Sequence, residues 1–138
     1  MNVPPNVQCL EEPGLLVWHP RGVFDQVHVD RIILFLSEHE DRLAKSFDRF
    51  TDLSRIDAVD LTFKYIFQVA LHRRISRLGR EPIKSAFFVT SPAVERYIKL
   101  HAVLTDRSPL QVELFAERQA AAKWLGVAPA LLAPAEEA

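Results

Sequence analysis

The chain has 138 residues, 49% of them hydrophobic, and a formal net charge of −1 from 17 basic and 18 acidic side chains. A length of that order makes one domain, able to bury roughly two-thirds of the surface its unfolded form exposes; the near-neutral balance gives no global electrostatic reason to expect nucleic acid or an anionic membrane as partner. The single cysteine, Cys9, excludes an intramolecular disulfide and every multi-cysteine zinc or iron–sulfur site.

The opening MNVPPNVQCLEEPG has neither the basic start nor the apolar core of a secretory signal, and no apolar run reaches membrane-spanning length. A soluble cytoplasmic protein with no membrane span is expected. Val7 to Leu10 and Leu15 to Trp18 flank the turn tripeptide Glu12-Pro13-Gly14, which predicts an antiparallel hairpin. Asp25 can cap a helix from Gln26 to about Arg42, in which Val29, Ile32, Ile33 and Leu36 recur at helical spacing. Residues 46–53 read as a strand covered on both sides, because Phe47 and Leu53 share a parity while Phe50 faces the other way.

Asp52-Leu53-Ser54 ends that strand and opens a polar loop running to residue 62. Leu61 to Leu78 is apolar around much of its circumference, which predicts a helix buried by neighbours on several sides, closed by Gly79. Ile83 to Val89 is the clearest strand; Ser91-Pro92 starts the helix to about Leu104. Leu110, Val112 and Leu114 alternate with polar residues in a strand near a sheet edge. Glu117 to Leu125 forms a last helix, ending at Gly126. The domain is thus expected over residues 1–126, with 127–138 as a mobile tail. Strands alternating with helices specify a sheet covered by helices, and right-handed crossovers lay its later strands parallel.

Few residues suggest chemistry. The histidines His19, His28, His39, His72 and His101 include no pair at metal-ligand spacing with a third ligand nearby, so no metal is expected; His101, on an apolar helix face, reads as a hydrogen-bonded core residue. Gly14, Gly22, Gly79 and Gly126 stand too far apart to cradle a phosphate, and no serine sits in a nucleophile elbow. No cofactor and no enzymatic activity are expected. Ser54, Asp57, Asp60 and Thr62 are either helix caps or a partner-contact loop. His72, Arg73, Arg74, Arg77, Arg80 and Lys84 form a dense basic cluster, with Arg73, Arg77 and Arg80 at helical spacing on one stripe; it is either solvated at a helix C-terminus or, through Arg73, Arg74, Arg77 and Arg80, in contact with an anion.

The order of elements, Asp52-Leu53-Ser54 with its spacing to Asp60-Leu61-Thr62, the long apolar helix after it, and Leu114-Phe115 leading to Ala121 and Trp124-Leu125 together resemble the SpoIIAA-like or STAS-like domains. This is the fold of anti-sigma-factor antagonists and of a group of small uncharacterised bacterial proteins, and the likeness covers Leu15 to Leu125. It implies an α/β fold with a mixed, largely parallel sheet and helices packed on it. In the antagonists Asp-Ser-Ser-Gly follows Asp-Leu-Ser and its second serine is phosphorylated; here the aspartate matches Asp60, the first serine Leu61, the acceptor Thr62 and the glycine Phe63. Half the motif is replaced, which implies a scaffold whose phosphorylation switch is lost. The resulting expectation is a non-enzymatic regulatory or interaction domain that docks a protein partner or a second copy, as a homodimer, through Asp52, Ser54, Asp57, Asp60, Thr62 and the adjacent helix. The alternative is a carrier of a small apolar ligand or lipid, with its pocket near Phe63, Phe67 and Phe87.

Overall fold

A computed structural model describes residues 3–76, 81–106 and 108–134. Its main sheet has the strands β1 (Val7–Leu10), β2 (Leu15–Trp18), β4 (Asp48–Asp52), β6 (Ile83–Phe88) and β7 (Leu110–Phe115) in the order β1-β2-β4-β6-β7. β1 and β2 form the antiparallel hairpin the turn tripeptide specifies, with Val7 opposite Trp18; Gly14 takes φ +91°, which favours glycine there. Every other pairing in this sheet is parallel, and β7 lies at the edge as its alternation requires.

β2 is buried along its whole length, so its two parities serve two cores. Leu16 and Trp18 pack with Ile32, Phe35 and Leu36 of α1 (Gln26–Leu43) and with Val94 and Ile98 of α3 (Pro92–Leu104). Leu15 and Val17 pack with Phe50, Ala86 and the helix α4 (Arg118–Leu125) on the opposite face. The small Ala121 and Ala122, almost wholly buried, let α4 lie close to the sheet. Arg49, Phe50, Thr51 and Asp52 are all buried, the two-sided cover that the parity of β4 indicates.

Caps fix the helix ends. The Asp25 carboxylate accepts the His28 N–H at 3.1 Å, as the sequence indicates, and Gly126 ends α4 at φ 75° with its N–H on the Ala122 carbonyl. Ser91 begins α3 without a side-chain capping bond, leaving initiation to Pro92. Gly79 lies outside the described residues.

Two expectations are corrected. Residues 127–134 are no mobile tail: Pro129–Leu132 form a short 3-10 turn packed against α4, and Leu132 is fully buried in the second core. The reason is hydrophobic, since Leu132 completes the cover that the short α4 leaves incomplete. A second, two-stranded parallel sheet also goes beyond the pattern, β3 (Gly22–Asp25) paired with β5 (Ile56–Asp60). The segment between β4 and α2 (Phe63–Ser76) is therefore a turn, a strand and a cap, in place of the one continuous loop its polarity suggests. β5 has only Ile56 and Val59 partly buried, between exposed acids, and so carries no strand periodicity.

Candidate functional site

The segment from β4 to α2 starts with a buried carboxylate. β2 and β4 run parallel with Trp18 beside Thr51, which brings the next residues, His19 and Asp52, together: His19 Nδ1 lies 2.9 Å from Asp52 Oδ2. The other carboxylate oxygen accepts the Ser54 backbone N–H at 2.9 Å and the Ser54 hydroxyl at 2.5 Å. Burial alone would raise the Asp52 carboxyl, but the hydrogen bonds from His19 and Ser54 outweigh it and hold the group below the usual carboxylate range. Asp52 has no exposed surface and serves as an anchor for the turn.

Asp57 and Asp60 lie exposed on β5, where Asp60 stands beside Asp25 in the β3–β5 register. Neither caps α2. That role falls to Thr62, whose hydroxyl oxygen accepts the Tyr65 N–H at 3.0 Å. Of the five residues expected to form one docking loop, Asp52 and Ser54 thus act together as a buried turn anchor, Thr62 as a cap, and only the two aspartates of β5 are exposed carboxylates. His19, which completes the anchor, is missed by sequence reasoning; its one signal is its place directly after a fully apolar strand.

α2 departs most from expectation. Tyr65, Ile66 and Ala70 are buried, and the Tyr65 hydroxyl donates to Asp30 Oδ1 of α1 at 2.5 Å; burial and that carboxylate raise the phenol above its ordinary range. Phe63, Phe67, Leu71 and Ile75, however, are each 53–59% exposed. Their spacing of four residues sets them in one stripe about 18 Å long, with Phe63 stacked on Tyr97 of α3 at 5.6 Å. The helix is covered on one side only: Tyr65, Ile66, Ala70 and Arg73 turn inward, while Phe67, Leu71 and Ile75 stay open to solvent. This also corrects the expected pocket: Phe63 and Phe67 face solvent, and only Phe87 lines a cavity. The stripe is flanked by exposed Lys64, Gln68 and His72, and α2 contains no carboxylate.

The basic stripe is corrected at its first member. Arg73 is 7% exposed and turns into the core, so it cannot share a solvated surface; the side chain of Arg74, together with Arg77 and Arg80, lies outside the described residues. Burial, then the charges of Glu11 and Glu40, raise the Cys9 thiol, opposite to the activation a nucleophile needs. Among the described residues no group of three or more His, Cys, Asp or Glu side chains could hold a metal ion, and no helix is long and apolar enough to cross a membrane.

No family model matches the sequence, and no curated protein matches it. Among solved structures, the chain is similar to an uncharacterized protein of the DUF3478 family with a SpoIIAA-like fold from Shewanella loihica PV-4, with a TM-score of 0.54 at 14% identity over 86% of this chain and 89% of that one. The likeness at that identity is one of fold, and it agrees with the strand order and helix cover described above: the chain has the SpoIIAA-like α/β fold, a mixed and largely parallel sheet with helices packed on it.

Proposed function

We propose that the protein is a non-enzymatic regulatory domain that docks a protein partner along α2, without the phosphorylation switch of the anti-sigma-factor antagonists it resembles. The observation that carries this reading is the exposed row Phe63, Phe67, Leu71 and Ile75, since contiguous apolar surface of that kind marks interaction sites. Lys64 and His72 border the row and no carboxylate shares the helix, so the fitting occupant is an amphipathic helix with an acidic rim. A second copy would bring like charges together.

Loss of the switch is supported at Thr62, whose hydroxyl holds the helix cap, and by Phe63 in place of the motif's glycine. Absence of catalysis is supported by the order of the three side chains: Ser54 donates to Asp52, and the imidazole does not stand between hydroxyl and carboxylate as nucleophilic catalysis requires.

The test is sedimentation and co-purification of Phe67→Asp beside the native chain. The reading expects a native monomer, unchanged folding of the variant and loss of a partner that carries an acidic amphipathic helix. A native dimer that Phe67→Asp dissociates would assign the stripe to self-association, and an unaltered partner would remove the stripe from function.

A further inference from the structure

β7 leaves part of its backbone unmatched. The Ile83 N–H donates to the Pro109 carbonyl and the Val89 N–H to the Phe115 carbonyl, so alternate residues of β7, Gln111, Glu113 and Phe115, turn their peptide groups to β6. Those of Leu110, Val112 and Leu114 point the other way. Ser108 Oγ lies 3.3 Å from both the N–H and the carbonyl oxygen of Leu110, which closes the start of the edge. Val112 and Leu114 each present an N–H and a carbonyl that pair with no strand among the described residues. Two donors and two acceptors thus repeat at the spacing of an extended chain.

The opposite edge of the sheet is guarded. β1 has four residues, set between Pro4-Pro5 and Glu11-Glu12-Pro13, and prolines and charges of that kind keep an edge from pairing. β7 has six residues in unbroken register with β6, with neither proline nor lysine among them. Its one charge, the exposed Glu113, decides what can pair there. The antiparallel register that matches all four free groups with those of a second copy sets Glu113 opposite Glu113 of that copy, with Cα atoms about 4.5 Å apart. Like charges directly opposite destabilise such a pair.

We propose that the free edge of β7 takes up an extended segment of another protein as an added antiparallel strand, with lysine or arginine opposite Glu113 and apolar residues opposite Val112 and Leu114. Main-chain hydrogen bonds supply the affinity of strand addition and alternate side chains its selectivity; antiparallel pairing is the stronger per residue. On one face of β7, Leu114 packs against the core beneath α1 and α3, so the apolar residues of the added strand extend that core. On the other face Gln111 and Glu113 are exposed and receive the cation. None of these residues belongs to α2, and the inference does not depend on the docking reading.

Titration of the intact native chain with the blocked peptide Ser-Thr-Val-Lys-Val-Thr-Ser, followed by amide shifts and hydrogen exchange, tests the assignment. The peptide is expected to shift the amides of Val112 and Leu114 and to slow their exchange. The same peptide with glutamate for lysine is expected to bind roughly five times more weakly. The peptide with both valines N-methylated keeps every side chain, loses the two donors, and should leave those amides unmoved. Val112→Pro removes an outward N–H at a position where an edge tolerates proline and should abolish binding; Glu113→Lys should reverse the preference between the lysine and glutamate peptides. Should Val112→Pro fail to fold, the three peptides on the native chain and Glu113→Lys still decide. Equal binding of the N-methylated peptide, shifts confined to Phe63, Phe67 and Leu71, no shift at millimolar peptide, or a native dimer that Val112→Pro dissociates would each overturn the proposal.

Discussion

His19 and Asp52, 33 residues apart in the chain, meet at 2.9 Å where β2 and β4 end side by side. Because the carboxylate is held ionised and can only accept, the imidazole presents its Nδ1 proton to it. Asp52→Ala would leave that donor and the Ser54 amide without their acceptor inside the fold, which is expected to cost about 1–3 kcal/mol. Denaturant titration of the variant at pH 7 measures it.

Two groups give stability two separate dependences on pH. His101 is pushed down to about 4 by burial and then by the charge of Arg73, so between about 6.5 and 4 the unfolded chain binds a proton that the folded chain refuses, and stability falls as the pH falls through that window. Asp52, depressed below its ordinary 3.8, contributes stability that is present above that value and is lost only at lower pH. Melting curves from pH 7 to 3 should show both slopes; His101→Gln should flatten the upper one and Asp52→Asn the lower. A native midpoint that does not move between pH 7 and 4.5 would contradict the assignment to His101.

Glu40 joins the end of α1 to the start of β4, accepting the Phe47 N–H at 2.8 Å and Arg49 Nη2 at 3.2 Å. Glu40→Ala is expected to destabilise by about 3–5 kcal/mol, because it removes a buried carboxylate that pairs with the Arg49 guanidinium and accepts the Phe47 N–H. The double change Glu40→Met, Arg49→Met should be less damaging than the single one. Chemical denaturation of the three variants distinguishes these outcomes.

Thr62→Ala should cost about 1 kcal/mol through the lost cap, and Thr62→Ser or Thr62→Asp should restore most of it. Asp60→Ala, on exposed β5, is expected to change stability by less than about 0.5 kcal/mol. Equal losses at the two positions would contradict the division of roles between cap and strand.

Leu132→Ala should cost about 2–5 kcal/mol, as for any large aliphatic side chain removed from a closed core. Thermal melting detects it readily; a neutral result would return residues 127–134 to the status of a tail.

Most of the architecture is legible in the sequence because it rests on patterns with a strict period. The hairpin, the two-sided burial of β4, the Pro92 helix start and the Gly126 helix end all follow from parity or from backbone preferences that hold whatever the neighbours. β3 and β5 are not legible, since each is four or five residues long and the partly buried Ile56 and Val59 of β5 fall on opposite parities. The apolar circumference of α2 is plain in the sequence and its meaning is not: composition says that a face is oily, while only the tertiary packing says that part of it is left uncovered. Asp52 and Ser54 suggest a docking loop by their polarity, the same property that lets Asp52 hold both Ser54 and His19.

The central claim, that α2 presents an open docking face for an acidic helix, is tested most directly by fluorescence anisotropy of two labelled amphipathic peptides with the same apolar face, one rimmed with glutamate and one with lysine. The account predicts that the glutamate peptide binds at least ten times more tightly, that binding weakens as salt is added, and that Phe67→Asp abolishes it. Equal binding of the two peptides, or binding that survives Phe67→Asp, would contradict it.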